Sequence, residues 1–192
     1  MSYLFFTKIC NKAAASILSD LSLSKSTVNA ELLMPESEDE CETFCSTHDL
    51  SKYSGVINLD LCGYGDTIVF TVRGRKSAFT RFFTDKAQYL RYFPEGPEVS
   101  IFRKFHLPVL TLAIVPRWDV QYLKALASLG HTPEFDMILS QMEVSSKIHE
   151  RDPKAMKQVY DYLFEAMTAP EIAVRKNFLR RIIEWITPNY LA

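Results

Sequence analysis

Apolar residues recur along this chain with two different periods, and the switches between them mark out its elements. Ile9, Ala13, Ile17, Leu18 and Leu21 are spaced by three and four, which predicts an amphipathic helix over residues 9–24. Ahead of it "YLFFT" reads as a short strand, and after a Ser-rich stretch "VNAELLM" reads as a brief strand or helical turn. In "ESEDECETFCSTHDL", Ser37 followed by Glu40 matches a capping box, and Asp39, Glu40 and Glu42 crowd a positive helix end. A short helix is expected over 38–47.

The period then changes to two. "GVINLDL" sets Val56, Asn58 and Asp60 against Ile57, Leu59 and Leu61, and "TIVFTVR" is dense in β-branched and aromatic residues. Between them "CGYGD" offers two glycines for a hairpin loop. A phosphate-binding glycine loop passes from a strand into a helix N-terminus, whereas these glycines lead into another strand, so the hairpin is the better reading. "RKSAFTRFFTDKAQYLRYF" predicts a helix stopped by "PEGPE", and "VSIFRKF" and "VLTLAIV" follow as strands, the second apolar enough to be central.

From Trp118 the texture is helical. One helix starts at Asp119 and closes at Gly130, and new starts fall at Thr132–Pro133, Asp152–Pro153 and Thr168 with Pro170 and Glu171. Apolar stripes such as Met156/Val159/Tyr160/Leu163 lie between these starts. The expected fold class is α+β. A small, mostly antiparallel sheet over residues 55–115 with flanking helices is followed by a four-helix C-terminal region. The parts 1–117 and 118–192 are expected to pack as one compact unit.

Charge changes this picture only locally. The 192 residues carry a formal net charge of −1, with 47% apolar and 23% charged residues, which argues against wholesale disorder and against a generic polyanion binder. Residues 1–50 carry 3 Lys/Arg against 8 Asp/Glu, residues 51–117 carry 10 against 5, and residues 118–192 carry 9 against 10. The middle segment is therefore where an anion-seeking surface belongs. Four cysteines do not make a secreted disulfide scaffold, and no apolar run reaches membrane-span length, so a reduced, cytoplasmic protein is expected.

Candidate chemistry is sparse. Cys41, Cys45 and His48 give C-x3-C-x2-H, but no second ligand pair with zinc-site spacing accompanies them, and core cysteines with a capping histidine are the favoured reading. Neither a metal nor another cofactor is expected. Among His48, His106, His131 and His149 none sits in a nucleophile motif, and His106 in "RKFHLP" is the one to watch. Asp60 and Asp66 straddle the expected hairpin loop as a possible acid pair, although Asp66 is already explained as a turn residue.

Arg73, Arg75, Lys76, Arg81, Arg103 and Lys104 form a cationic rim, with Tyr64 at the loop apex as an aromatic anchor. The expectation is a non-enzymatic binding protein for a protein partner, of the inhibitor, immunity-type or adaptor kind. The first alternative is a nucleic-acid-binding regulator using Arg75 and Lys76 with Arg175, Lys176, Arg180 and Arg181 of the last helix. A further alternative is an enzyme of unrecognised type.

Overall fold

Ser2–Phe6 forms the first strand, β1, and each of the next two turns of chain leaves the growing sheet on a different side. Helix α1 (Lys12–Leu23) leads to β2 (Ala30–Leu33), and helix α2 (Glu38–Thr47) with a short 3-10 turn (Leu50–Lys52) leads to β3 (Tyr53–Leu59). There follow β4 (Thr67–Arg73), β5 (Gln88–Tyr89), α3 (Pro97–Lys104), β6 (Val109–Val115), α4 (Arg117–Leu129) and α5 (Pro153–Thr168). This computed structural model describes residues 2–9, 11–23, 30–61, 65–74, 82–91, 96–129 and 152–168, with positions 133 and 137 standing alone.

The six strands make one sheet in the order β2-β1-β3-β6-β4-β5. Four of its five pairings are parallel, and only β4 with β6 is antiparallel. The mixed α/β class therefore holds, but the mostly antiparallel sheet does not. The sequence between β1 and β3 alternates strand and helix, and parallel neighbours need such crossovers. The chain moves from β1 outward to β2 and then back past β1 to β3. Two right-handed crossovers in opposite directions must lie on opposite faces. Accordingly Ala14, Ile17, Leu18 and Leu21 of α1 pack on one face, and Cys41 and Cys45 of α2 on the other.

The expected hairpin is also corrected. β3 and β4 do not touch each other as neighbours, because β6 lies between them, parallel to β3 and antiparallel to β4. All seven residues of "VLTLAIV" are buried, as a central strand covered on both faces requires. Each Val, Leu or Ile so placed contributes about 2 kcal/mol of burial. That reward outweighs a local hairpin between β3 and β4, which would leave β6 without two partners. Gly65, in the link from β3 to β4, instead lies against Val115 and Pro116 at the carboxyl end of β6. The missing side chain makes this possible: its φ is +114°, and a Cβ there would stand 2.5 Å from the Pro116 nitrogen and 2.7 Å from the Val115 carbonyl carbon.

Two further elements differ from the pattern-based expectation. "VSIFRKF" belongs to helix α3, opened by Gly96 at the cap and Pro97 in the first turn, with Glu98, Val99, Ile101 and Phe102 on its buried face. The helix expected after Gly74 gives way to strand at Gln88–Tyr89, and its start at residues 75–81 lies outside the described residues. Of the four C-terminal helices, the first and third are α4 and α5; apart from the single positions 133 and 137, the second and fourth fall outside the described residues. Helix α5 packs Ala155, Val159, Leu163 and Ala166 into the same core as α1. Lys86 bonds Glu165 at 2.7 Å and lies over the Phe82 ring, which ties α5 to the segment after β4. No helix among the described residues is long and apolar enough to cross a membrane.

Candidate functional site

Period-two alternation assigns each strand residue to a face. On the α1/α5 face one apolar cluster runs without interruption through Phe5, Ile57, Leu112 and Phe70 of four adjacent strands. On the α2/α3 face a second cluster joins Leu4, Phe6, Val56 and Val109 to Cys41, Cys45, Val99 and Phe102. It stops there. Val69, Ala113 and Val115 are buried on the same face, and Val120 and Leu123 of α4 are buried too, yet none belongs to that cluster. Lys124 of α4 bonds Gln88 at 3.2 Å, and Gln88 pairs with Val69, so α4 covers the β4–β5 side of this face.

A row of polar side chains runs through the interruption. Asn58 of β3, Thr111 of β6 and Thr71 of β4 are register partners across three adjacent strands, at 4%, 1% and 0% exposure. The Asn58 amide donates to the Thr111 hydroxyl at 3.4 Å, whereas the Thr71 hydroxyl has no hydrogen-bond partner among the described residues. A buried hydroxyl left unpaired costs about 1–3 kcal/mol, so such a group calls for an explanation beyond packing.

Beyond the row lie the carboxyl ends of the parallel strands β1 and β3. One pleat beyond Asn58, Asp60 is half-buried and its backbone N–H donates to the Leu112 carbonyl at 3.0 Å. One pleat beyond Phe6, Lys8 forms an ion pair with the buried Glu98 at the start of α3. Since Phe6 and Asn58 are register partners, Lys8 and Asp60 end adjacent strands on one face. Thr7 faces the other way and donates to the Leu59 carbonyl at 2.8 Å, locking β1 to β3 at the same level. On the α4 side stand Asp119, whose carboxyl is raised above its ordinary range by burial, and Arg117, which is exposed. The switch point between β1 and β3, where successive crossovers take opposite faces, lies beside Lys8 and Asp60, one strand away from Thr111 and two from Thr71. Open α/β sheets bind ligands in the crevice at such a point.

Other titratable groups have local explanations. Cys41 and Cys45 share a hydrogen bond inside the apolar cluster; that bond, then burial, pushes the Cys41 thiol up, and the same bond pulls Cys45 down. His48 stacks on Phe44 with ring centres 4.2 Å apart and bonds the Phe44 carbonyl through Nδ1 at 3.1 Å. Among the described residues, no three His, Cys, Asp or Glu side chains gather to hold a metal ion. His106 is not at a strand boundary but at the end of α3, with φ +61°. The His106 N–H donates to the Arg103 carbonyl at 2.9 Å and the Leu107 N–H to the Phe102 carbonyl at 3.1 Å, the two bonds of a Schellman cap. Asp60 and Asp66 are not a pair, because β6 separates their strands by two inter-strand spacings, about 10 Å. At the amino end of the face, Lys52 and Tyr53 both donate to Glu31, which lies below the usual carboxylate range for that reason.

Of the residues expected to form a docking rim, Arg73 donates to the Arg91 carbonyl at 3.3 Å, and Arg103 and Lys104 end α3 on the surface. Tyr64, Arg75, Lys76, Arg81, Arg175, Lys176, Arg180 and Arg181 lie outside the described residues. The polar row was not anticipated from sequence. Its signal was present as Asn58, Thr71 and Thr111 inside strand runs that are otherwise apolar, but only the register brings the three together. Compared with known proteins, the chain matches no known family and no curated protein.

Proposed function

We propose that this chain is a small-molecule-binding protein whose ligand occupies the α2/α3 face of the sheet over β3, β6 and β4, between the α2/α3 pair and α4. The observation that carries this reading is the buried row Asn58–Thr111–Thr71 with its unpartnered hydroxyl. A row of neutral hydrogen-bonding groups across an otherwise apolar face weakens packing, and a ligand that satisfies those groups offsets the cost. Asp60 and the Lys8–Glu98 pair then form the rim. An NMR screen of the full chain against pooled metabolites tests it. Saturable shifts at the amides of Asp60, Thr71 and Thr111 are expected, and their silence toward every pool would reject the site.

A second reading keeps the macromolecular partner, protein or nucleic acid. Its support is the corner made by Arg103 and Lys104. Among the described residues Lys104 pairs with Glu42 at 3.4 Å, both side chains being more than half exposed, and such pairs are worth little. Those cations are therefore available to an anionic surface at small cost. A salt titration with generic DNA and RNA decides the nucleic-acid form; a flat response at low salt ends it. Free, buried Cys41 and Cys45 suit a reducing compartment such as the cytoplasm.

A further inference from the structure

We infer that Cys41 and Cys45 are a reversible oxidation site, closed to a disulfide by a peroxide and reopened by a thiol reductant. The inference is independent of the ligand reading above.

Both thiols are free and lie four residues apart on α2, so they share one face on consecutive turns. That face carries them into the apolar cluster with Leu4, Phe6, Val99 and Phe102, at 0% and 3% exposure. They share a hydrogen bond, which brings the two sulfurs into contact. Helical spacing sets their α-carbons about 6 Å apart, inside the range that a disulfide spans. It also sets their β-carbons about 5–6 Å apart, beyond the ~4 Å of a relaxed disulfide, so closure tightens the turn between them. A bond formed under that strain is easily reduced again, which is the character of a regulatory disulfide and not of a structural one.

The end of α2 is where such tightening costs least. Cys45 stands two residues before Thr47, the last residue of the helix. The Ser46 hydroxyl donates to the Glu42 carbonyl at 2.9 Å and the Thr47 hydroxyl to the Thr43 carbonyl at 2.7 Å, a back-bonding that loosens and bends a helix. Local opening of this turn admits a small neutral peroxide to Cys45 while the sheet stays folded. The shared bond assigns the roles. It holds Cys45 below the ordinary thiol range, which makes Cys45 the nucleophile; Cys41, pushed up by the same bond and by burial, resolves. The Cys45 thiolate attacks one peroxide oxygen, the O–O bond breaks, and a sulfenic acid forms as hydroxide leaves and takes up the thiol proton as water. The Cys41 sulfur then displaces the sulfenic hydroxyl, which leaves as water with the Cys41 proton. Two thiols and one hydrogen peroxide thus give one disulfide and two waters, the sulfurs losing the two electrons that the peroxide gains.

The test treats the folded full chain with hydrogen peroxide, alkylates the remaining thiols and digests with trypsin. Residues 26–52 form one tryptic peptide that holds Cys41 and Cys45 and neither Cys10 nor Cys62. This peptide should lose two hydrogen atoms and escape alkylation, and dithiothreitol should restore both thiols. In the absence of urea the reaction should outrun global unfolding at least about tenfold. Cys41→Ala should stop at a sulfenic acid on Cys45 that dimedone traps, and Cys45→Ala should give neither product. The parent chain carries the decisive reading, so a variant that misfolds does not blunt it. Thiols that react no faster than the chain unfolds overturn the inference, and so does a disulfide that joins either cysteine to Cys10 or Cys62 instead.

Discussion

On the α1/α5 face of the sheet apolar packing runs unbroken across β1, β3, β6 and β4, whereas on the α2/α3 face it is cut by Asn58, Thr111 and Thr71. Leu112 and Thr111 are consecutive residues of one strand and show the contrast at its sharpest. Leu112 is fully buried in the continuous cluster; Thr111 is buried as deeply, bonded to an amide, and next to a hydroxyl with no partner. One face is arranged to hold the molecule together. The other gives up apolar contact at its centre, on β3, β6 and β4. Continuous apolar packing and buried polar groups are thus divided between the two sides of a single sheet.

Substitutions on either side of that division should separate by sign and size. Leu112→Ala removes a fully buried side chain from the continuous face, and urea denaturation should show a loss of about 3 kcal/mol. Gly65→Ala attacks the close approach of Gly65 to the carboxyl end of β6. Its positive φ and the 2.5 Å approach to Pro116 predict a loss of about 2–3 kcal/mol by the same measurement. On the interrupted face the signs reverse. His106→Gly relieves a left-handed residue at the cap of α3 and should raise stability by about 0.5–1 kcal/mol. Thr71→Val removes an unpaired buried hydroxyl and should be neutral or stabilising by up to about 1 kcal/mol; a loss as large as that of Leu112→Ala would erase the distinction between the faces.

The smallest expected effect is a pH dependence. Burial raises the Asp119 carboxyl in the folded state above its unfolded value, so the folded chain holds that proton more tightly. The stability associated with Asp119 is present below the unfolded pKa and is lost as pH rises through the folded one. Asp119→Asn should therefore be slightly more stable than the parent at neutral pH, and the difference should vanish toward about pH 4. A difference that grows on acidification would mean a favourable partner holds the ionised carboxylate.

Several elements were legible because their signals are local. Ser37 accepts from the Glu40 N–H at 3.2 Å at the start of α2, although the Glu40 side chain reaches back to the Glu36 N–H at 2.8 Å in place of Ser37. Asp152 accepts from the Lys154 N–H at 2.8 Å at the start of α5. The stripe Ile17, Leu18, Leu21 marked α1, and the apolar run at 109–115 marked the central strand. Helix α3 was misread as a strand because Val99 and Ile101 also fit a period of two. The Gly96–Pro97 start, together with Phe102 three residues after Val99, was the signal that separates the two.

The site was less legible than the fold. Asn58, Thr71 and Thr111 are 13 and 40 residues apart along the sequence, and nothing in the spacing of polar residues inside strands says which will share a level. The same gap explains the hairpin error. Strong β runs joined by a glycine-containing link favour local pairing, and the loss of that pairing is decided only when a third strand, 36 residues beyond the end of β4, takes the place between them.

The chain's own residues determined where helices start, which segments are extended, and which strand is apolar on both sides, because caps, periods and burial preferences act within a few neighbouring residues. The tertiary structure decided strand order, direction and register, because those depend on which distant segments bury the most surface together. It is that register, and not any motif, which sets three neutral polar groups in one row, with Lys8 and Asp60 one pleat beyond on the same face.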